Sequence, residues 1–153
     1  MNPFGNILVA TDFGEAAGLA LAHGRELARR FEAVLHVMHV VDDLGARLGK
    51  VPDSSPALDT IQAEAEAAAR LRLESLLTDD DRAALRARTV ILTSPAPAVT
   101  ITSYARDEHV DLIVIGTHGR GPVARFLLGS VADRVLRLAA CPVLVVRPPG
   151  QPG

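Results

Sequence analysis

The sequence predicts an α/β fold, a parallel sheet covered by helices on both faces. Three observations lead there. The apolar runs Ile7–Ala10, Leu112–Ile115 and Val143–Val146 are continuous rather than alternating, the pattern of strands buried on both sides. Segments with helical spacing lie between the strands, giving the order βαβαβαβαβ. A glycine-rich segment with Gly116, Gly119, Gly121 and Gly129 directly follows one strand, and open α/β sheets bind ligands beyond the carboxyl ends of their strands.

In chain order, strand one covers Ile7 to Ala10, and Thr11-Asp12-Phe13-Gly14 turns into a helix over Glu15–Arg30. Ala16, Ala20, His23 and Leu27 are its expected inner stripe. Strand two covers Ala33–Val40. Val41 to Pro56, with its Asp, Gly, Ser and Pro residues, reads as a long surface loop. Ala57–Leu77 forms a long helix with Ile61, Ala65, Ala69, Leu73 and Leu76 inward. Thr78-Asp79-Asp80-Asp81 interrupts it and reads as a cap or solvated face, since three adjacent carboxylates do not converge on one metal ion. Strand three is Arg88–Leu92, and a helix over Ala98–Glu108 turns Ile101, Thr102 and Ala105 inward. Strand four is Asp111–Ile115. A short helix over Pro122–Leu128, a helix over Ser130–Ala139 marked by Val131, Val135 and Leu138, and strand five over Pro142–Val146 complete the domain, residues 1–147, ahead of a flexible tail, residues 148–153.

One domain fits 153 residues of which 48% are hydrophobic. The net charge of −2, from 16 basic and 18 acidic side chains, argues against a general nucleic-acid binder. No uncharged apolar run reaches the ~18 residues of a membrane span, and MNPFGN lacks the basic start of a signal peptide; a cytoplasmic location is expected. Cys141, the sole cysteine, excludes an intrachain disulfide and reads as a semi-buried structural thiol.

The glycine segment reads as an anion-binding loop. Glycines let the backbone approach a ligand without an intervening Cβ. Ser130 is placed as the N-cap of the last helix, whose free N–H groups, with the Ser130 hydroxyl, make a phosphate cradle. Arg120 and Arg125 can add charge-assisted bonds, or simply face solvent. Both G-x-G-x-x-G after strand one and the GK[ST] ending of a Walker motif are absent. Asp12 either contacts a nucleoside or a cation, or caps the helix that follows it.

The spacing Gly116-x2-Gly119-x9-Gly129-Ser130, with ILVATDF, HVMHV and DLIVIGTHGRG, resembles the ATP-binding members of the universal stress protein family over nearly the whole chain. The resemblance implies a Rossmann-like open five-stranded parallel sheet in the order 3-2-1-4-5. It places Ala10, Thr11, Asp12 and Val40 at the nucleoside end, with Val40 offering backbone groups to adenine. Gly116, His118, Gly119, Gly129, Ser130, Val131 and Ala132 surround ribose and phosphates. It further implies a homodimer through the apolar edge strand Val143–Val146. The family often has a glycine near Ser94, which this chain lacks.

The expected ligand is ATP, or ADP or AMP, with or without Mg2+, in a regulatory stress-response role. No catalytic triad or metal-ligand cluster is apparent in the sequence. Two alternatives stay open: a slow ATPase or nucleotidyl-transfer enzyme using the same cleft, and a dimeric interaction module that binds no nucleotide.

Overall fold

A computed structural model of the chain describes residues 2–49, 56–117 and 128–149. Strands β1 (Asn6–Ala10), β2 (Val34–Asp42), β3 (Arg88–Ser94), β4 (Leu112–Gly116) and β5 (Val143–Val146) form one sheet in the order β3-β2-β1-β4-β5. Every pairing is parallel. The helices are α1 (Glu15–Phe31), α2 (Leu44–Arg47), α3 (Pro56–Leu76), α4 (Asp79–Ala84), α5 (Pro97–Asp107) and α6 (Ser130–Leu138).

Alternation along the strands divides the core into two layers. Ile7, Val9, Leu35, Val37, Leu112 and Val114 pack with α1 and with Leu73 of α3. Leu8, Ala10, Met38, Ile113 and Ile115 pack with Ile101 and Ala105 of α5 and with Ala132 and Val135 of α6. The expected inward residues Ile101, Thr102 and Ala105 are all buried.

Several expected details differ. The inner stripe of α1 runs through Ala16, Ala20, Gly24 and Ala28, and His23 is exposed. The reason is close packing: a Cβ at Gly24 would stand 2.4 Å from Val9 Cγ2, so only glycine can face the sheet at that turn. Ile61 is 53% exposed and only Ala69 and Leu73 of α3 are buried, while nearer its amino end the helix meets the end of β2 and the start of α2 through polar contacts of Gln62 with Leu44 N and Asp42 O. Leu138 is exposed as well. Within the expected loop over 41–56, β2 continues to Asp42 and α2 follows, its N-cap Asp43 accepting from the Ala46 N–H. Residues 50–55 lie outside the described residues. Strand β3 runs two residues further than expected, to Ser94. Asp111 precedes β4, and its Oδ2 accepts the Gly5 and Asn6 N–H groups at 2.8 and 2.9 Å, tying the starts of β1 and β4 together. Pro148 is buried, and residues 150–153, the end of the expected tail, lie outside the described residues. Cys141 is half-buried, and burial pushes its thiol up, as suits a structural thiol.

The acid triplet bears out the cap and corrects the solvated face at Asp81. Thr78 and Asp81 form a capping box, but Asp81 is also fully buried. Its carboxylate accepts both from the Thr78 N–H at 2.9 Å and from Arg25 Nε at 3.0–3.1 Å, and Arg25 Nη2 also donates to the Leu76 carbonyl. The pair fastens the α3–α4 corner to α1. Burial works to raise the Asp81 pKa, but the Thr78 N–H and the Arg25 guanidinium outweigh it and hold the carboxyl below its ordinary range.

His36 is the second buried polar element. It is 1% exposed, with Nδ1 2.8 Å from Tyr104 Oη and Nε2 3.2 Å from Asn6 Oδ1. Burial first, then the nearby Arg88 charge, lowers its pKa from 6.5 to about 4. The fold therefore favours neutral His36, and this contribution is complete above pH 6.5 and lost as pH falls toward 4. At ~1.36 kcal/mol per unit, the loss is on the order of 3 kcal/mol. Chemical denaturation between pH 7 and 4 should show this slope, and His36→Gln should flatten it. An equal slope in both proteins would mean that other groups set it.

Candidate functional site

Strand β1 begins two runs that go opposite ways: β2 and β3 lie to one side, β4 and β5 to the other. At such a switch point the connecting helices leave from opposite faces and a crevice opens between the strand ends. Here it is a cavity of about 270 Å³. Its walls are Ala10, Thr11 and Asp12 after β1, Met38, His39 and Val40 of β2, Ile115, Gly116 and Thr117 at the end of β4, Pro97 and Ile101 of α5, Ala17 of α1, and Gly129, Ser130, Val131 and Ala132 at the start of α6.

Of the residues singled out in the sequence, Ala10, Thr11, Asp12, Val40, Gly116, Gly129, Ser130, Val131 and Ala132 all line this one cavity. They come from four separated stretches of chain, which the parallel register brings together. His118, Gly119, Arg120 and Arg125, and the short helix expected over Pro122–Leu128 apart from Leu128, lie outside the described residues. Sequence reasoning did not assign Ala17, Met38, Pro97, Ile101, Ile115 or Thr117 to the site. Pro97 and Ile101 had a usable signal: α5 also starts from the carboxyl end of a strand, so its first turn must face the same rim.

Three local assignments change. Gly129, not Ser130, is the N-cap of α6; Ser130 is the first helical residue, and no side chain caps that end. The Gly129 N–H donates to the Thr117 carbonyl, which fixes the chain's return to the end of β4, and Thr117 N donates to Val146 O at 2.9 Å. Ser130 is exposed and lines the cavity, so its hydroxyl and the first amides of α6 stand at the cavity rim, where among the described residues no side chain caps the helix.

The second change concerns Gly116. The expected reason for glycine was backbone approach to a ligand. A Cβ here would instead meet Ala16, at 2.8 Å from its carbonyl carbon and Cβ and 3.1 Å from its oxygen. Glycine at 116 lets α1 lie against the end of β4, and the cavity inherits that closeness.

Third, Asp12 does not cap α1 directly. Its Oδ1 accepts the N–H of Gly14, the N-cap residue, at 2.8 Å, and no side chain caps the helix itself. Asp12 is exposed at the cavity wall. Thr11 Oγ1 accepts the Phe13 N–H at 3.0 Å, while Phe13 adopts left-handed backbone at φ 67° with its ring against His39 and beneath the Arg72 guanidinium. Among the described residues no group of three or more His, Cys, Asp or Glu side chains could hold a metal ion.

Sheet order, two-sided helical cover and the crevice between β1 and β4 make this a doubly wound, Rossmann-like α/β protein with a switch-point cavity. The sequence profile of the universal stress protein family matches residues 3–147. The chain belongs to that family. It is 32% identical over 148 residues to a universal stress protein of Methanocaldococcus jannaschii, covering 97% of this chain and 85% of that one. Among solved structures it is similar to the universal stress protein UspA of Lactobacillus plantarum, with 31% identity, TM-score 0.71, and 94% and 98% of the two chains covered. A universal stress protein solved in complex with cAMP shares the fold at TM-score 0.59 and 21% identity, over 94% of this chain and 96% of the other.

Proposed function

We propose that the chain binds an adenine nucleotide, ATP first among ADP and AMP, in the switch-point cavity, and that the bound nucleotide regulates it within a stress response. The observation that carries this is the convergence of the Thr11–Asp12 turn, Val40 and the uncapped start of α6 on one concave, largely apolar site. Apolar walls from Met38, Val40 and Ile101 suit a base, and the first helical amides of α6, from Ser130 on, suit phosphate. The cAMP complex of the fold relative concerns that protein; here the support is the cavity and the glycine-serine pattern. Magnesium, where present, would be held chiefly by the phosphates, with Asp12 the carboxylate on the cavity wall. Native mass spectrometry of gently purified protein should show an adenine nucleotide in part of the population. Failure of added ATP to produce a bound species would reject the reading.

A homodimer is proposed through β5. It is an edge strand, its Leu144 is 36% exposed, and Leu136 and Leu138 of α6 are exposed as well. Open apolar edges pair, and a two-fold axis lets each strand meet its copy. Light scattering should give twice the chain mass, and Leu144→Glu should shift it toward the monomer. A concentration-independent monomer for the unchanged chain would contradict the dimer. No helix among the described residues is long and apolar enough to cross a membrane. The proposed compartment is the cytoplasm, where a free thiol such as Cys141 stays reduced.

A further inference from the structure

Strands β1 and β2 stop pairing at the cavity, and two specific hydrogen bonds end the ladder. In a parallel pair, alternate residues of one strand turn both backbone groups to the same neighbour. Val34 N donates to Gly5 O at 2.9 Å and Thr11 N to Met38 O at 2.8 Å, so the even-numbered residues of β2 face β1. Val40 is next in that row. Continuing the ladder would send its N–H to the Thr11 carbonyl and bring the Phe13 N–H to its own carbonyl. Neither bond forms, and each partner is turned to another group. The Thr11 carbonyl accepts from His39 Nδ1 at 2.7 Å, and the Phe13 N–H donates to Thr11 Oγ1 at 3.0 Å. A carbonyl only accepts, so Nδ1 carries the proton. The imidazole is steadied by the Phe13 ring, centroids 4.5 Å apart, and the left-handed backbone of Phe13 takes the chain away from β2. The Val40 N–H and C=O are thus left pointing past the end of β1, and Val40 lines the cavity.

We infer that His39 is a positioning residue for base recognition: by holding the Thr11 carbonyl it keeps the ladder open and presents the Val40 N–H and C=O as a donor–acceptor pair to the base. Adenine matches that pair, with N1 accepting and its 6-amino group donating. Hypoxanthine and guanine carry a proton on N1 and an oxygen at position six, the reverse pattern, which leaves buried groups opposed. The inference rests on the adenine-nucleotide reading, with Val40 at the base as the family resemblance implies, and adds the residue that holds that backbone pair open.

The test is calorimetry with ATP and with ITP on the unchanged full-length chain, His39→Leu and His39→Asn. The unchanged chain should prefer ATP by at least about tenfold. His39→Leu frees the Thr11 carbonyl to take the Val40 N–H. ATP affinity should then fall about tenfold, with ITP affinity moving less than about threefold, so that the preference collapses. His39→Asn, whose amide N–H can reach the same carbonyl, should restore most of it. Should His39→Leu fail to fold, Thr11→Val, which removes the acceptor holding the Phe13 N–H, should narrow the preference instead. No ATP binding by the unchanged chain rejects the nucleotide reading itself. ATP binding without preference over ITP, a preference that survives His39→Leu (or Thr11→Val), or equal losses of both ligands overturns the role of His39 alone.

Discussion

Asp81→Ala should cost about 3–5 kcal/mol, the usual effect of removing one partner from a buried ion pair. The substitution leaves Arg25, with its side chain 24% exposed, donating Nε into a space that holds no acceptor, and it removes the carboxylate that takes the Thr78 N–H. Partial exposure of Arg25 places the loss toward the lower end. For a chain of this length that is roughly 6–12 °C in melting temperature, at 2–4 °C per kcal/mol. Asp80→Ala is the comparison. Asp80 meets Arg29 at 3.1 Å on the surface, with the two side chains 68% and 47% exposed, and its loss should cost less than about 1 kcal/mol. Thermal unfolding of the two variants side by side decides it. Similar melting temperatures would mean that the Arg25–Asp81 pair does not fasten the α3–α4 corner to α1.

Gly116→Val should destabilise the chain by about 3 kcal/mol or more, at the upper end of overpacking effects. The obstacle is backbone: the new Cβ would stand 2.8 Å from the Ala16 carbonyl carbon, and α1 cannot yield there without leaving β4. Gly116→Ala carries the same Cβ and should already show most of the loss. Gly18→Ala offers the contrast within α1. Nothing lies within 4 Å of a Cβ at Gly18, and the position is exposed, so a stabilisation of about 0.5–1 kcal/mol is expected. A Gly116→Ala protein as stable as the unchanged chain would show that α1 and β4 are not in that contact.

These two residues also show what the sequence could and could not disclose. The strands were readable because burial on both faces leaves continuous apolar runs such as LIVI at 112–115. The cavity was readable because ligands in this architecture gather at strand ends, and those of the chosen residues that are described line one wall or another of it. Gly116 was found for a reason that proved incomplete. A glycine after a strand serves ligand approach and helix approach equally well, and only the position of Ala16 separates the two. Asp81 was read with its neighbours as a cap or solvated face; the cap holds, but its burial against Arg25 was missed because that partner stands 56 residues away, and no local pattern announces such a pair. The same limit applies to His39. Its place beside the crevice was legible, whereas its bond to the Thr11 carbonyl depends on where β1 ends relative to β2.

The central claim is that phosphates of an adenine nucleotide sit at the start of α6. Calorimetry with ATP on the unchanged chain and on Ser130→Glu tests it most directly. A glutamate at the first position of α6 favours the helix by about 0.3–1 kcal/mol through its dipole, while it repels an anion. The account predicts saturable ATP binding by the unchanged chain, and at least about a tenfold loss in a Ser130→Glu protein that melts no lower. No ATP binding, or equal affinity in the two folded proteins, would contradict it.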